Sequence, residues 1–139
     1  SESMVRHNYF SHVNRRDKSL RTPNDRARKV GIANPFLAEN IMETFVLEYT
    51  AGEEVYPGGK GVFRRNPKSD PIQPHTYLSL GEALMEGWMN SSDHKSNILS
   101  DQAVELGCGT TFFANKDFNY MPTVMATQNF QLYVPIVTK

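Results

Sequence analysis

Cysteine is almost absent from this chain. Cys108 is the only one among 139 residues, so no intrachain disulfide can form. Net charge is absent too: fifteen Lys and Arg balance fifteen Asp and Glu, and nothing in that balance points to nucleic acid. No apolar run approaches the roughly 20 residues needed to span a bilayer. No signal peptide is recognisable, and the opening Ser1-Glu2-Ser3-Met4, without a start methionine, suggests trimming. Internal repeats and low-complexity tracts are also missing. What is present, 39% hydrophobic and 22% charged residues, suits a single soluble domain with a real core. Charge is unevenly spread: residues 1 to 30 carry eight basic and three acidic side chains, which reads as a solvated basic face.

Local signals sketch an α+β order. Glu2 to Phe10 reads as the tail of a helix, with Met4, Val5 and Tyr9 or Phe10 able to face a core. A helix over Pro23 to Val30 is well marked: Thr22 caps it, Pro23 takes its first position, Asp25 favours its positive end and Gly31 stops it. Phe45 to Thr50 suits either a short strand or the continuation of a helix begun near Glu39. Residues 51 to 78 are the least regular, with Pro57-Gly58-Gly59-Lys60-Gly61 and Asn66 to Pro71 supplying turn chemistry. A loop this long is usually functional or mobile. Gly58-Gly59-Lys60 is no phosphate loop, because the spacing back to Gly52 is too long and Gly61 replaces the Ser or Thr. Val104 to Phe113 and Thr123 to Val134 alternate as an antiparallel hairpin, with Val124, Ala126, Gln128, Phe130 and Leu132 on one face. Gln128 is the polar member there and needs a hydrogen-bond partner. Cys108 falls in the first of these strands, where a small buried hydrophobe is expected rather than a reactive thiol.

Between loop and hairpin lies Trp88-Met89-Asn90-Ser91-Ser92-Asp93-His94-Lys95-Ser96-Asn97-Ile98-Leu99. Ser79 to Trp88 reads as an amphipathic helix capped by Ser79 and Glu82. Ser91 and Ser92 start a short second helix ending near Leu99. His94 then sits in its first turn, where the helix dipole favours the neutral imidazole that binds metal or accepts a proton. Alone, a histidine at such a corner reads more readily as a surface or hydrogen-bonded residue.

Four pieces change that reading: Tyr9-Phe10-Ser11-His12, Glu39-Asn40-Ile41, Trp88-Met89-Asn90-Ser91 running into His94 and Asn97-Ile98-Leu99, and Thr127-Gln128-Asn129-Phe130. In this order they resemble the CAP superfamily, or SCP domain, in its bacterial branch, and the likeness covers most of residues 4 to 134. The resemblance implies one domain over residues 1 to 139, an α-β-α sandwich with a short antiparallel sheet between helical layers. Most of the family's first helix would be missing. It implies a cleft of two histidines and two acids: His12, His94, Glu39 and, as candidate second acid, Glu86, with Gln128 close by. Met125 and Ala126 stand where eukaryotic members carry a histidine, and Ser91 where they carry an acid.

Neutral imidazoles beside carboxylates suit a divalent ion, Zn²⁺ before others, with His12 and His94 as ligands. Three readings follow. The first is an extracytoplasmic module (secreted, periplasmic or cell-surface by resemblance) whose cleft takes a metal and a small ligand, lipid or peptide. The second is a metal-assisted hydrolase with Glu39 or Glu86 as base. The third is an interaction domain that meets a protein partner through the 51 to 78 loop, its tetrad being a structural hydrogen-bond network. His7 and His75 read as surface residues and Trp88 as core.

Overall fold

The fold is organised on the last of its described strands. In the computed structural model, which describes residues 1–133, strand β5 (Met121–Gln131) pairs antiparallel with β1 (Leu37–Phe45) on one side and β4 (Glu105–Asn115) on the other. The sheet order is β1-β5-β4, so β1 and β4 are its two edges. Because side chains alternate along a strand, the register sorts the sheet into two faces. Ile41 and Met125 face helix α1 (Glu2–His7), whose Met4 packs onto them. On the opposite face Val124 and Ala126 receive Leu80, Leu84 and Trp88 of helix α3 (Tyr77–Met89), with Met42 and Ile98 alongside. Helix α2 (Pro23–Lys29) lies on the α1 side and helix α4 (Ser92–Ile98) follows α3. Helices on both faces of a small antiparallel sheet make an α+β architecture.

Helix α2 forms as its sequence predicts. The Thr22 hydroxyl accepts from the Asp25 amide at 3.1 Å and the Asp25 carboxylate accepts from the Thr22 amide at 3.0 Å, a complete capping box. The fraying end passes to Gly31, whose φ of +98° suits glycine.

Elsewhere the boundaries move. Residues 37 to 45, not 45 to 50, form the strand, and no helix begins near Glu39. Being edge-paired to β5 along its whole length, β1 carries polar residues on both faces, which hides its period. Helix α3 starts earlier than expected. Thr76, not Ser79, is the cap, accepting from the Ser79 amide at 3.1 Å. Tyr77 and Leu78 project into solvent, 90% and 74% exposed, so these two apolar residues fall off the buried face that Leu80, Leu84 and Trp88 define and blur the start of the pattern. Ser91 occupies the cap position of α4 without a side-chain cap bond. In β5 the face of Val124, Ala126, Gln128 and Phe130 is buried as expected, but Thr123, Met125 and Thr127 are buried too, because a central strand is covered on both sides. Leu132 lies beyond β5, and Val134 lies outside the described residues. Cys108 is exposed rather than buried, since α3 and α4 cover β1 and β5 and leave β4 bare.

The irregular 51 to 78 region contains a small hairpin of β2 (Tyr56–Gly59) and β3 (Val62–Arg64). Phe63 and Ile72 are buried with Leu47 and Met121 in a second core cluster. The hairpin is tied to the β4–β5 turn: the Gly61 amide donates to the Asn119 carbonyl at 2.9 Å, and Asn119 Nδ2 donates to the Gly59 carbonyl at 3.0 Å.

Candidate functional site

His12 leaves α1 on a basic loop and meets β1. Its Nδ1 lies 2.9 Å from Glu39 Oε1. An ionised carboxylate only accepts, so Nδ1 carries the proton and Nε2 is the nitrogen left to face a ligand. The other carboxylate oxygen of Glu39 is taken by Arg26, whose Nη2 donates at 2.6 Å. Arg26 Nη1 also donates to the His12 carbonyl at 3.2 Å and lies within 3.5 Å of the Leu20 and Arg21 carbonyls. The Glu39 side chain is 4% exposed while His12 is 48% exposed. The acid is thus a buried anchor with an imidazole standing on it toward solvent, and α2 supplies the neutralising charge.

His94 is positioned through its main chain. Asn40, fully buried on β1, donates Nδ2 to the His94 carbonyl at 3.1 Å and to Gln128 Oε1 at 3.1 Å. Asn40 Oδ1 accepts from Asn97 Nδ2 at 2.8 Å. One side chain therefore fixes α4 against the sheet from both ends of its amide. Gln128 has the partner its burial requires, and its Nε2 further donates toward Met85 Sδ at 3.6 Å. The His94 Nδ1 is buried with no protein partner, an arrangement that costs about 1–3 kcal/mol unless something binds there.

The two histidines line one open cleft of about 640 Å³, together with Phe10, Ser11, Val13, Ser91 and Gly87. Its remaining wall is Ile41, Met42 and Glu43 of β1. Three consecutive strand residues can line one surface only if their main chain does, since neighbouring side chains point to opposite faces. The cleft therefore runs along the outer edge of β1. Glu39 and Arg26 line a second cavity of about 400 Å³ between α1, α2 and β4, walled by Met4, Ala27, Val30 and Leu37.

Of the residues singled out in sequence, His12 and His94 line one cleft, Glu39 sits behind His12 and walls the second cavity, and Gln128 is buried on the other face of the sheet against Asn40. Glu86 does not join: it is exposed on α3 and absent from the cleft walls. Sequence reasoning missed Arg26 and Glu43. Glu43 lies four residues after Glu39 on the same strand face, a period-two signal that emerges once β1 is known to be a strand. Arg26 looked like one of eight solvated cations. Met125 and Ala126, in place of the eukaryotic histidine, are core residues.

The model of the cysteine-rich secretory protein family, CAP, matches residues 1–130. The chain belongs to the CAP family. No curated protein and no solved structure gives a significant match to it. Among the described residues, no group of three or more His, Cys, Asp or Glu side chains is placed to hold a metal ion. In this CAP domain each Glu39 oxygen holds one hydrogen-bond partner, His12 on Oε1 and Arg26 on Oε2. No described helix is long and apolar enough to cross a membrane.

Proposed function

We propose that this CAP domain is an extracytoplasmic binding module that recognises a small ligand or a short extended peptide in the cleft between His12 and His94. The observation that carries the reading is the engagement of Glu39. The Glu39 carboxylate accepts from a guanidinium at 2.6 Å and an imidazole at 2.9 Å, its side chain is only 4% exposed, and it lines the second cavity rather than the cleft, so it is withheld from a ligand there. It orients His12 and is not a general base. The unpaired outer edge of β1, which lines the cleft at Ile41, Met42 and Glu43, supports a peptide, since strand addition to a free edge is a recurrent mode of peptide capture. Glu43 adds a preference for a basic side chain, and extracytoplasmic placement rests on family membership.

A divalent ion is the second reading, favoured by the unpartnered Nδ1 of His94. It would draw on His94 and His12 and complete its shell from water or ligand, Glu39 being occupied. The two readings separate in one experiment. Isothermal titration of chelator-treated protein with Zn²⁺, repeated on His12→Ala, tests the ion. Two-dimensional NMR with a panel of short basic peptides tests the cleft. Shifts at Ile41–Glu43, His12 and His94, lost in His12→Ala, support peptide binding. Shifts that map elsewhere overturn it. Hydrolysis of such peptides abolished by Glu39→Gln would overturn the non-catalytic reading and restore the hydrolase.

A further inference from the structure

The two edges of the sheet are treated differently by the fold. The edge of β1 is walled by the His12 loop and by α3 and α4. Among the described residues no strand pairs with the outer edge of β4; α1 meets one face of the strand, where Ser1 and Thr111 share a hydroxyl hydrogen bond of 2.9 Å. It is also unusually complete. All eleven residues of Glu105–Asn115 pair with β5 without a bulge. No Lys, Arg or Pro interrupts them, although these are the residues that normally blunt an edge. Leu106 and Phe112 are 57% and 50% exposed on it.

We propose that β4 pairs antiparallel with β4 of a second copy of this chain, about a two-fold axis at Thr110, to join two three-stranded sheets into one of six. The composition of β4 is graded: Gly107, Cys108 and Gly109 are small, while Phe112 and Phe113 are large. An antiparallel self-pair sets the small half against the large half. With Thr110 opposite itself, Leu106 meets Ala114, Cys108 meets Phe112, Gly107 meets Phe113 and Gly109 meets Thr111. Faces match, and each aromatic ring covers a residue too small to fill its own place. The strand's single charge, Glu105, falls at each end beside Asn115 and Lys116 of the second copy, so charge is complementary twice. A second copy is therefore the occupant that this strand fits. A standard stable interface uses about 20–30 residues a side, and this edge offers roughly half of that, so the dimer forms in a concentration-dependent way.

The test is sedimentation equilibrium of the full chain under reducing conditions, up to about 1 mM, a concentration that captures even very weak pairing. The expected result is a mass rising from 15.8 kDa toward twice that value. Thr110→Lys and Thr110→Glu each place like charges directly opposite at the axis and weaken dimerisation at least tenfold, while an equimolar mixture of the two regains it. The mixture also shows that neither variant is misfolded. In Phe112→Cys, mild oxidation with oxidised glutathione links the new thiol to Cys108 of the second copy. The parent chain does not link, because its two Cys108 residues sit four positions apart along the pair, beyond disulfide reach. A monomer at every concentration overturns the proposal, and so does a dimer indifferent to Thr110→Lys.

Discussion

Replacing Asn40 with alanine removes one side chain and orphans three groups. Gln128 Oε1, the His94 carbonyl and Asn97 Nδ2 all lose the partner that Asn40 supplies at 2.8 to 3.1 Å. Gln128 is buried, so its oxygen bears the full desolvation penalty of about 1–3 kcal/mol. His94 and Asn97 are half-buried, and water can reach them, which reduces each loss to about 0.5–1 kcal/mol. The sum is about 3 kcal/mol, a melting point lower by roughly 10 °C in a domain of this size. Asn40→Asp should be worse at neutral pH, because a carboxylate would confront two acceptors where the amide donated. Burial raises that carboxyl above its unfolded value of about 4. The folded variant then holds a proton that the unfolded chain releases. Its deficit grows as pH rises above about 4 and levels off beyond the raised folded value. Urea melts of the parent, Asn40→Ala and Asn40→Asp at pH 4 and pH 7 measure all of this. A loss under about 1 kcal/mol for Asn40→Ala, or an Asp variant whose deficit ignores pH, would refute the network as what holds α4 in place.

Arg26 and Glu39 should couple. Glu39→Gln alone is expected to cost about 2 kcal/mol, less than a fully buried pair because Arg26 is one-third exposed, and Arg26→Met with Glu39→Gln should cost less than the sum of the two. A double-mutant cycle by thermal melts reads the difference, and additivity would show the pair to be idle. Thr22→Ala should cost about 1 kcal/mol through the lost cap of α2. Asp25 is held below the usual carboxylate range chiefly by its hydrogen bond from the Thr22 side chain, so the stability it contributes is full above its unfolded value and is lost as pH falls through the folded one. Melts from pH 6 to pH 2 should therefore show a smaller acid loss in Thr22→Ala than in the parent. Gly87→Ala brings a Cβ to 2.5 Å from the mobile Cε of Met42, which offsets most of the ~1 kcal/mol helix gain. In a Met42→Ala background that gain should reappear, and chemical denaturation of both pairs decides it.

How much of this was legible depended on where each signal lived. Helix α2 was legible because its cap, first turn and stop are all contiguous in the chain. The family pieces were legible as a set, since Glu39-Asn40-Ile41 and Trp88 through Leu99 carry meaning in order. Strand β1 was not. Glu39 and Asn40 are neighbours that point to opposite faces and are both buried, each satisfied by partners far away in sequence, so no local period marks them. The start of α3 was hidden for the opposite reason, its first turn being solvent-facing while Thr76 alone announced it. Cys108 was misjudged because a strand's alternation does not say whether a helix will cover it. Arg26 needed three dimensions: only folding brings its guanidinium from α2 to β1.

That guanidinium has a role beyond the cleft. By gathering the carbonyls of His12, Leu20 and Arg21 and gripping Glu39, Arg26 closes the basic loop onto the sheet, a task that many small exported domains give to a covalent bridge. A clasp built from protons and charge is indifferent to the thiol chemistry of its surroundings. With a single cysteine the chain holds no intrachain disulfide, and dithiothreitol should leave its melting temperature where it was.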